Sequence, residues 1–299
     1  MSKAAKPIEI WRVNAFTDTP FTGNPAGVVP DAEGLSEARM QAIAREVNDI
    51  SETAFILPPR TADADLRLRF FTSTTEVDLC GHATISALFT LHWRGDLGGD
   101  TPSRTIRAET PVGALTLGLE FRDGELQWAV MEQLEPEFAP ATGAQHAASV
   151  LGLPESAIAP EPPIGCCRTG IWVCYVPLTS LDALAGIRLE RERIELLWPE
   201  NPDFAGVYAF TLIDDHLTQG RFFSLPRYGI LEDPVTGTAS GGLGAYLMQH
   251  GRVAQNGELV ARQGHEMGRP GVVHVTRNSN GRMSIRGRAV AVIRGEVLA

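Results

Sequence analysis

Glu52 follows Ser51 in the segment NDISETAFIL, where a helix-to-strand connection gives way to a strand. A carboxylate so placed can take a proton from carbon and give it back, or it can be an ordinary exposed turn residue. His82 stands one residue after Gly81 at the start of an apolar helix. The positive end of a helix disfavours an imidazolium, so His82 is expected to be a neutral donor or acceptor, the plain alternative being a histidine that merely satisfies the helix end. Asp233, between Glu232 and Pro234, is the polar residue before a second such helix, where the plain alternative is favourable charge near an N-terminus. Cys80 directly precedes Gly81, within reach of activation by the same helix mouth, and the matching residue at the second helix is Thr236. Proton transfer by two thiols needs one on each face of the substrate carbon. A single cysteine cannot supply both, and Cys80 is read as a small packing residue near the site.

The elements that would position these groups come as an internal repeat. The first copy reads RFFT from Arg69, then Glu76, Gly81, Ala83 and Thr84; the second reads RFFS from Arg221, then Glu232, Gly237, Ala239 and Ser240. Each runs from a strand through a glycine-containing turn into an apolar helix. A helix N-terminus offers unpaired N–H groups and partial positive charge, so such a mouth can bind a carboxylate without lysine or arginine. If the halves face each other, two mouths converge on one cleft.

Around the repeat, Ile8 to Phe16 reads as a strand, followed by a loop, TDTPFTGNPAGVV, broken by Pro20, Gly23, Asn24 and Pro25. Ser36 is the expected N-cap of a helix with Leu35 and Met40 as a staple, ended by Asn48 and Asp49. Strands follow at Thr53 to Leu57 and Asp65 to Thr72, and a buried helix at Ala83 to Trp93. Residues 103 to 131 read as strands turning at Pro111-Val112-Gly113 and Asp123-Gly124. The stretch from Glu132 to Gly143 is expected to carry the passage between domains. Beyond it come helices near Ala144 to Leu151, Ser180 to Ala185 and Glu190 to Leu197, strands at Ile171 to Pro177 and Gly206 to Ile213, and a second apolar helix ending at His250 with Gly251 as cap.

The formal net charge of −10 opposes attraction to nucleic acid or anionic lipid, so an anionic substrate needs local donors. No apolar run approaches the roughly 18 residues of a membrane span, and the N-terminus shows no signal-peptide pattern, which makes the cytoplasm the expected compartment. Cys80, Cys166, Cys167 and Cys174 form no CxxC pair and no zinc-type spacing; reduced thiols are expected, with Cys166 and Cys167 packed near a strand.

The segments VNAFTDTPFTGNPAGVV, AREVNDISETAF, RFFTSTTEVDLCGHATISA, RFFSLPRYGILEDPVTGTASGGLGAYL and QGHEMGRPGVVHV together resemble the phenazine-biosynthesis (PhzF-like) isomerase family along nearly the whole chain. The resemblance implies an α+β fold of the diaminopimelate epimerase type: two pseudo-symmetric domains, each a curled, barrel-like mixed sheet around a central helix, with the active site between them. Residues 1–124 with a returning C-terminal strand over 289–299 would form the first domain, and 125–288 the second. By the same resemblance Glu52 is the acid–base group, His82 and Asp233 complete the catalytic set, and Ser51, Gly81, Gly237 and Thr238 contact the substrate. Thr238 stands where TGSA-type members have serine, and Gly271 where many have serine.

These lines meet in a cofactor-independent isomerase, free of metal, that shifts a proton on a small carboxylate-bearing substrate, as trans-2,3-dihydro-3-hydroxyanthranilate isomerase does. Such enzymes are commonly homodimers, and neither nucleic acid nor membrane is an expected partner. Two alternatives stand beside it: an amino-acid racemase or epimerase using Cys80, and a noncatalytic small-anion-binding protein.

Overall fold

The computed structural model describes residues 7–47, 52–198, 200–228 and 230–298. The chain divides into two compact units, Met1–Met131 with Arg286–Ala299, and Glu132–Ile285.

In the first unit the strands are β1 (Ile8–Ala15), β2 (Asn24–Val29), β3 (Thr53–Leu57), β4 (Leu66–Phe71), β5 (Glu76–Val77), β6 (Ser103–Thr110), β7 (Gly113–Arg122) and β8 (Glu125–Glu132). Its helices are α1 (Glu37–Val47) and α2 (Gly81–Trp93). The second unit holds β9 (Glu137–Pro140), α3 (Ala144–Leu151), β10 (Gly165–Arg168), β11 (Trp172–Pro177), α4 (Leu181–Ala185), β12 (Phe204–Leu212), β13 (Leu217–Ser224) and β14 (Glu232–Asp233). It continues with α5 (Gly237–Gln249), β15 (Glu258–Gln263), β16 (Gly271–Arg277) and β17 (Met283–Gly287), after which β18 (Ala289–Val297) pairs antiparallel with β1.

The two units repeat one pairing scheme. In the first, β1 is antiparallel to β2, β2 parallel to β3, β3 antiparallel to β4, β4 parallel to β6 and β6 antiparallel to β7. In the second, β10 to β11, β11 to β12, β12 to β13, β13 to β15 and β15 to β16 follow in the same senses. The parallel step from β4 to β6 requires a crossover, and α2 provides it; α5 does so between β13 and β15. Both are apolar nearly all round, as a helix enclosed by its own sheet must be. Every residue from His82 to Leu91 is buried, and α5 is buried from Ala239 to Met248. This is the mixed-sheet α+β architecture expected from the sequence.

Physical reasons account for the differences from the sequence reading. The loop TDTPFTGNPAGVV contains strand β2, because Asn24 and Pro25 open it rather than interrupt it and its far edge pairs in parallel with β3. The stretch 132–143 contains β9, and Cys166 and Cys167 lie in β10, a strand too short to show a period. Residues 191–197 wind as a 3₁₀ rather than an α-helix. The Ser36 cap forms, its Oγ accepting from the Arg39 N–H at 3.3 Å, while Asn48 and Asp49 lie outside the described residues. No helix among the described residues is long and apolar enough to cross a membrane.

The RFF…E element of each copy is an ion pair. Arg69 donates from Nε and Nη2 to both oxygens of Glu76 at 2.7 and 2.6 Å, and Arg221 likewise to Glu232 at 2.8 Å each. Each guanidinium also lies over the following aromatic ring, Phe71 at 5.1 Å and Phe223 at 4.9 Å. The side chains are 12–27% exposed, so removing Glu232 strands the Arg221 charge where water reaches it poorly, whereas Arg69 Nη2 also donates to Glu37 at 2.8 Å and keeps that partner when Glu76 is removed. Glu232→Ala should lower stability in urea unfolding by about 3 kcal/mol, and Glu76→Ala by less because Glu37 still pairs with Arg69. A loss below about 0.5 kcal/mol in Glu232→Ala would mark its pair as an ordinary surface contact.

Candidate active site

Glu52 sits at the entry to β3, its carbonyl held by the Gly27 N–H of β2 at 3.0 Å. Position 27 must be glycine for this approach, since a Cβ there would lie 2.6 Å from Thr53 Oγ1. The Glu52 side chain reaches α2, with Oε2 3.3 Å from His82 Nε2. Cys80, the residue before the helix, places Sγ 3.4 Å from His82 Nδ1 and 3.7 Å from Nε2. A thiol, an imidazole and a carboxylate thus form one cluster within the first unit, with ligand atoms within 4.8 Å of one another. A metal can be held by such a set, which the sequence hides because Glu52 and Cys80-x-His82 come from separate elements.

The charge state differs from the expectation of a neutral His82. Burial acts to lower its pKa, but Cys80 and Glu52 outweigh burial and hold it well above the ordinary histidine range. Burial and then the Glu52 charge push the Cys80 thiol up, while His82 acts to bring it down. A full opposite charge 3.3 Å away acts more strongly on the ring than the partial charge of a helix terminus does.

In the second unit Asp233 ends β14, and the turn to α5 is braced by Gln263. Gln263 Nε2 donates to the Asp233 carbonyl at 2.6 Å and to Thr236 Oγ1 at 3.2 Å, while its Oε1 accepts from the Thr236 N–H at 3.1 Å. Thr236 in turn donates its hydroxyl to Asp233 Oδ2 at 2.5 Å. Gly264 follows with φ +86°, and a Cβ there would meet Arg269 O at 2.3 Å. Gln263 is the functional-region residue the sequence reading missed. Its signal was the QG that opens QGHEMGRPG, but nothing local in the sequence links it to Asp233.

Gly81 and His82 are the first residues of α2, Gly237 and Thr238 the first of α5. Neither preceding residue, Cys80 or Thr236, caps its helix with a side-chain hydrogen bond, and the Thr236 hydroxyl is engaged by Asp233 instead. Tyr175 OH and Thr169 Oγ1 fix the first turn of α5 by donating to Ala239 O at 2.8 Å and Thr238 O at 3.2 Å. Glu52, Cys80 and His82 are therefore brought together in one unit, and Asp233, Thr236, Gly237 and Thr238 in the other. Ser51 lies outside the described residues. All four cysteines are buried free thiols.

The register also locates the counterparts. Thr53 pairs with Phe71 and Val207 with Phe223, the matching phenylalanines of the two RFF motifs, so Gly206 is the second-copy equivalent of Glu52. One copy carries a carboxylate at this position and the other carries no side chain.

A family profile described as "Phenazine biosynthesis-like protein" matches residues 13–295. A Bacillus subtilis protein named uncharacterized isomerase YfhB is 37% identical over 95% of this chain and 97% of its own. Trans-2,3-dihydro-3-hydroxyanthranilate isomerase of Pseudomonas aeruginosa is 33% identical over 86% of each chain. A crystal structure of a Bacillus anthracis phenazine biosynthesis protein of the PhzF family superposes with TM-score 0.86 at 34% identity, covering 99% of this chain and 100% of that one. The fold alone extends to a hydroxyproline epimerase from Agrobacterium vitis, with TM-score 0.65 at 16% identity over 97% and 92% of the two chains.

Two measurements follow from this geometry. A raised folded pKa means that the stability contributed by charged His82 is fully present below its unfolded value of about 6.5 and is lost as pH rises through the folded value. An NMR titration of the His82 ring should show a midpoint above about 6.5 that falls in Glu52→Gln; an unshifted or Glu52-independent midpoint would overturn the assignment of charge. Crystals grown with sulfate should show an anion bonded to backbone N–H groups at Gly81-His82 or Gly237-Thr238. Anions found only elsewhere would remove the helix mouths from substrate binding.

Proposed function

The chain belongs to the phenazine biosynthesis-like (PhzF) family of isomerases, and from that premise we propose that Glu52 moves a proton between two carbons of a small, conjugated, carboxylate-bearing substrate without a cofactor. The observation that carries this reading is the pairing of Glu52 with His82 at 3.3 Å in a copy whose repeat partner has Gly206 instead. One group then serves as base and as acid on a single face of the substrate. An imidazolium beside Glu52 favours the carboxylate form, which is the form that accepts a proton. Once Glu52 is neutral, the same positive neighbour favours its giving the proton back, now to the second carbon.

The helix mouths at Gly81 and Gly237 supply N–H donors for the substrate carboxylate and for charge that spreads through the conjugated system as the carbon–hydrogen bond breaks. Asp233, held by Thr236 and Gln263, orients a polar substituent, and Thr238 and Ser51 complete the substrate contacts. Cys80 is assigned to packing: its thiol is 6% exposed and burial keeps it protonated. The first substrate to test is trans-2,3-dihydro-3-hydroxyanthranilate, on which the Pseudomonas aeruginosa relative acts by name.

Glu52→Gln preserves size and hydrogen bonding but cannot act as a base. It should reduce turnover by at least about a hundredfold while ligand affinity stays within about tenfold. Cys80→Ser should keep most of the turnover and most of the deuterium incorporation from heavy water. If the serine variant is inactive while Glu52→Gln still exchanges substrate hydrogen, the acid–base assignment is wrong and a thiol-based racemase takes its place. A protein that binds the carboxylate and exchanges no carbon-bound hydrogen would instead be a binding protein.

A further inference from the structure

The Glu52, Cys80 and His82 cluster contains more than proton transfer requires. A carboxylate that shuttles a proton needs a partner such as His82, yet it has no need of a sulfur atom in contact with the same ring. We propose that Glu52, Cys80 and His82 form a binding site for one zinc-class divalent cation, and that its occupancy switches the isomerase off.

The argument is geometric. Zinc binds thiolate sulfur at about 2.3 Å, imidazole nitrogen at about 2.0–2.1 Å and carboxylate oxygen at about 2.0–2.2 Å, in tetrahedral order. Tetrahedral angles then put nitrogen and oxygen about 3.3 Å apart and sulfur and nitrogen about 3.5 Å apart. The observed separations are 3.3 Å for His82 Nε2 to Glu52 Oε2 and 3.7 Å for Cys80 Sγ to His82 Nε2. Because Sγ lies nearly as close to Nδ1, at 3.4 Å, it faces the ring between the two nitrogens, and a turn of the imidazole about χ2, a broad torsion, is needed to aim Nε2 at the ion.

The donor set selects among metals. One thiolate and one imidazole suit zinc and its soft neighbours, whereas magnesium and calcium take oxygen ligands. Three protein ligands leave the fourth position of a tetrahedral ion for water. On binding, the sulfur–zinc bond forms as the thiol proton leaves to solvent and the nitrogen–zinc bond forms as the His82 imidazolium loses its Nε2 proton, so two protons are released per ion, one from Cys80 and one from His82. The ion would hold the Glu52 oxygen that the reaction uses. This silencing rests on the acid–base role proposed for Glu52; the binding itself does not.

The test uses the full chain after dialysis against a chelator. Competition between the protein and a coloured chelator should reveal one tight zinc site, weakened at least tenfold in Cys80→Ser and in His82→Gln. Cobalt(II) in the same site should give a thiolate-to-metal charge-transfer band in the near ultraviolet, absent from Cys80→Ser. That band is read on the unaltered protein, so it decides the matter even if a variant fails to fold. One equivalent of zinc should abolish turnover, and chelation should restore it. The absence of a tight site, unchanged affinity in folded Cys80→Ser, or bound cobalt without a thiolate band would each overturn the proposal. Full zinc occupancy with undiminished turnover would support the metal site and overturn the role of Glu52, which separates the two failures.

Discussion

The arginine–glutamate pair that closes each strand-turn-helix unit is the constraint on which the site geometry depends. Arg69 and Arg221 grip Glu76 and Glu232 with two hydrogen bonds each, and those glutamates open the short strands β5 and β14. Five residues later the helix begins in both copies, at Gly81 and at Gly237. Fixing the glutamate therefore fixes where the first N–H groups of α2 and α5 lie. A fork-to-carboxylate contact restricts orientation as well as distance, which a lysine in the same place would not do.

On that shared frame the two copies differ in the residues that face chemistry. The residue before the helix is Cys80 in one and Thr236 in the other, the second helical residue is His82 or Thr238, and the strand entry is Glu52 or Gly206. The backbone device persists: Thr84 and Ser240 each return a hydroxyl to the carbonyl of the residue before their helix, at 2.8 and 3.0 Å. Scaffold residues are thus repeated while side chains at the mouths have separated into one titratable set and one braced aspartate.

Much of this was legible in the sequence, for identifiable reasons. The repeat, the hairpins turning at Asp123-Gly124 and the Ser36 cap are local signals, and each produced the expected structure. Strands β2, β9 and β10 were missed because their pairing comes from distant segments: Asn24 to Val29 looks like a loop until β1 and β3 lie on either side. The site shows the same division. Glu52, His82 and Asp233 stand out by motif, whereas the Gln263 clamp and the contact of Cys80 with His82 exist only after folding. The expectation of a neutral His82 rested on the helix end, which is visible in the sequence; Cys80 and the carboxylate 3.3 Å away, which raise its pKa, meet the ring only in the fold.

The asymmetry between the copies also bears on reaction type. Inverting a carbon centre requires a base on one face and an acid on the other, and a duplicated fold would serve this most directly by keeping the same titratable group in both copies. Here the second copy has Gly206 and Thr236 at the positions of Glu52 and Cys80, and neither titrates in the range where a proton must move. A proton shift along one face needs only one such group, with the other copy free to bind and orient. The loss of side chain at Gly206 means that a two-face reaction has no matching group in the second copy and would need an unlike partner such as Asp233, whereas a one-face proton shift asks for Glu52 alone.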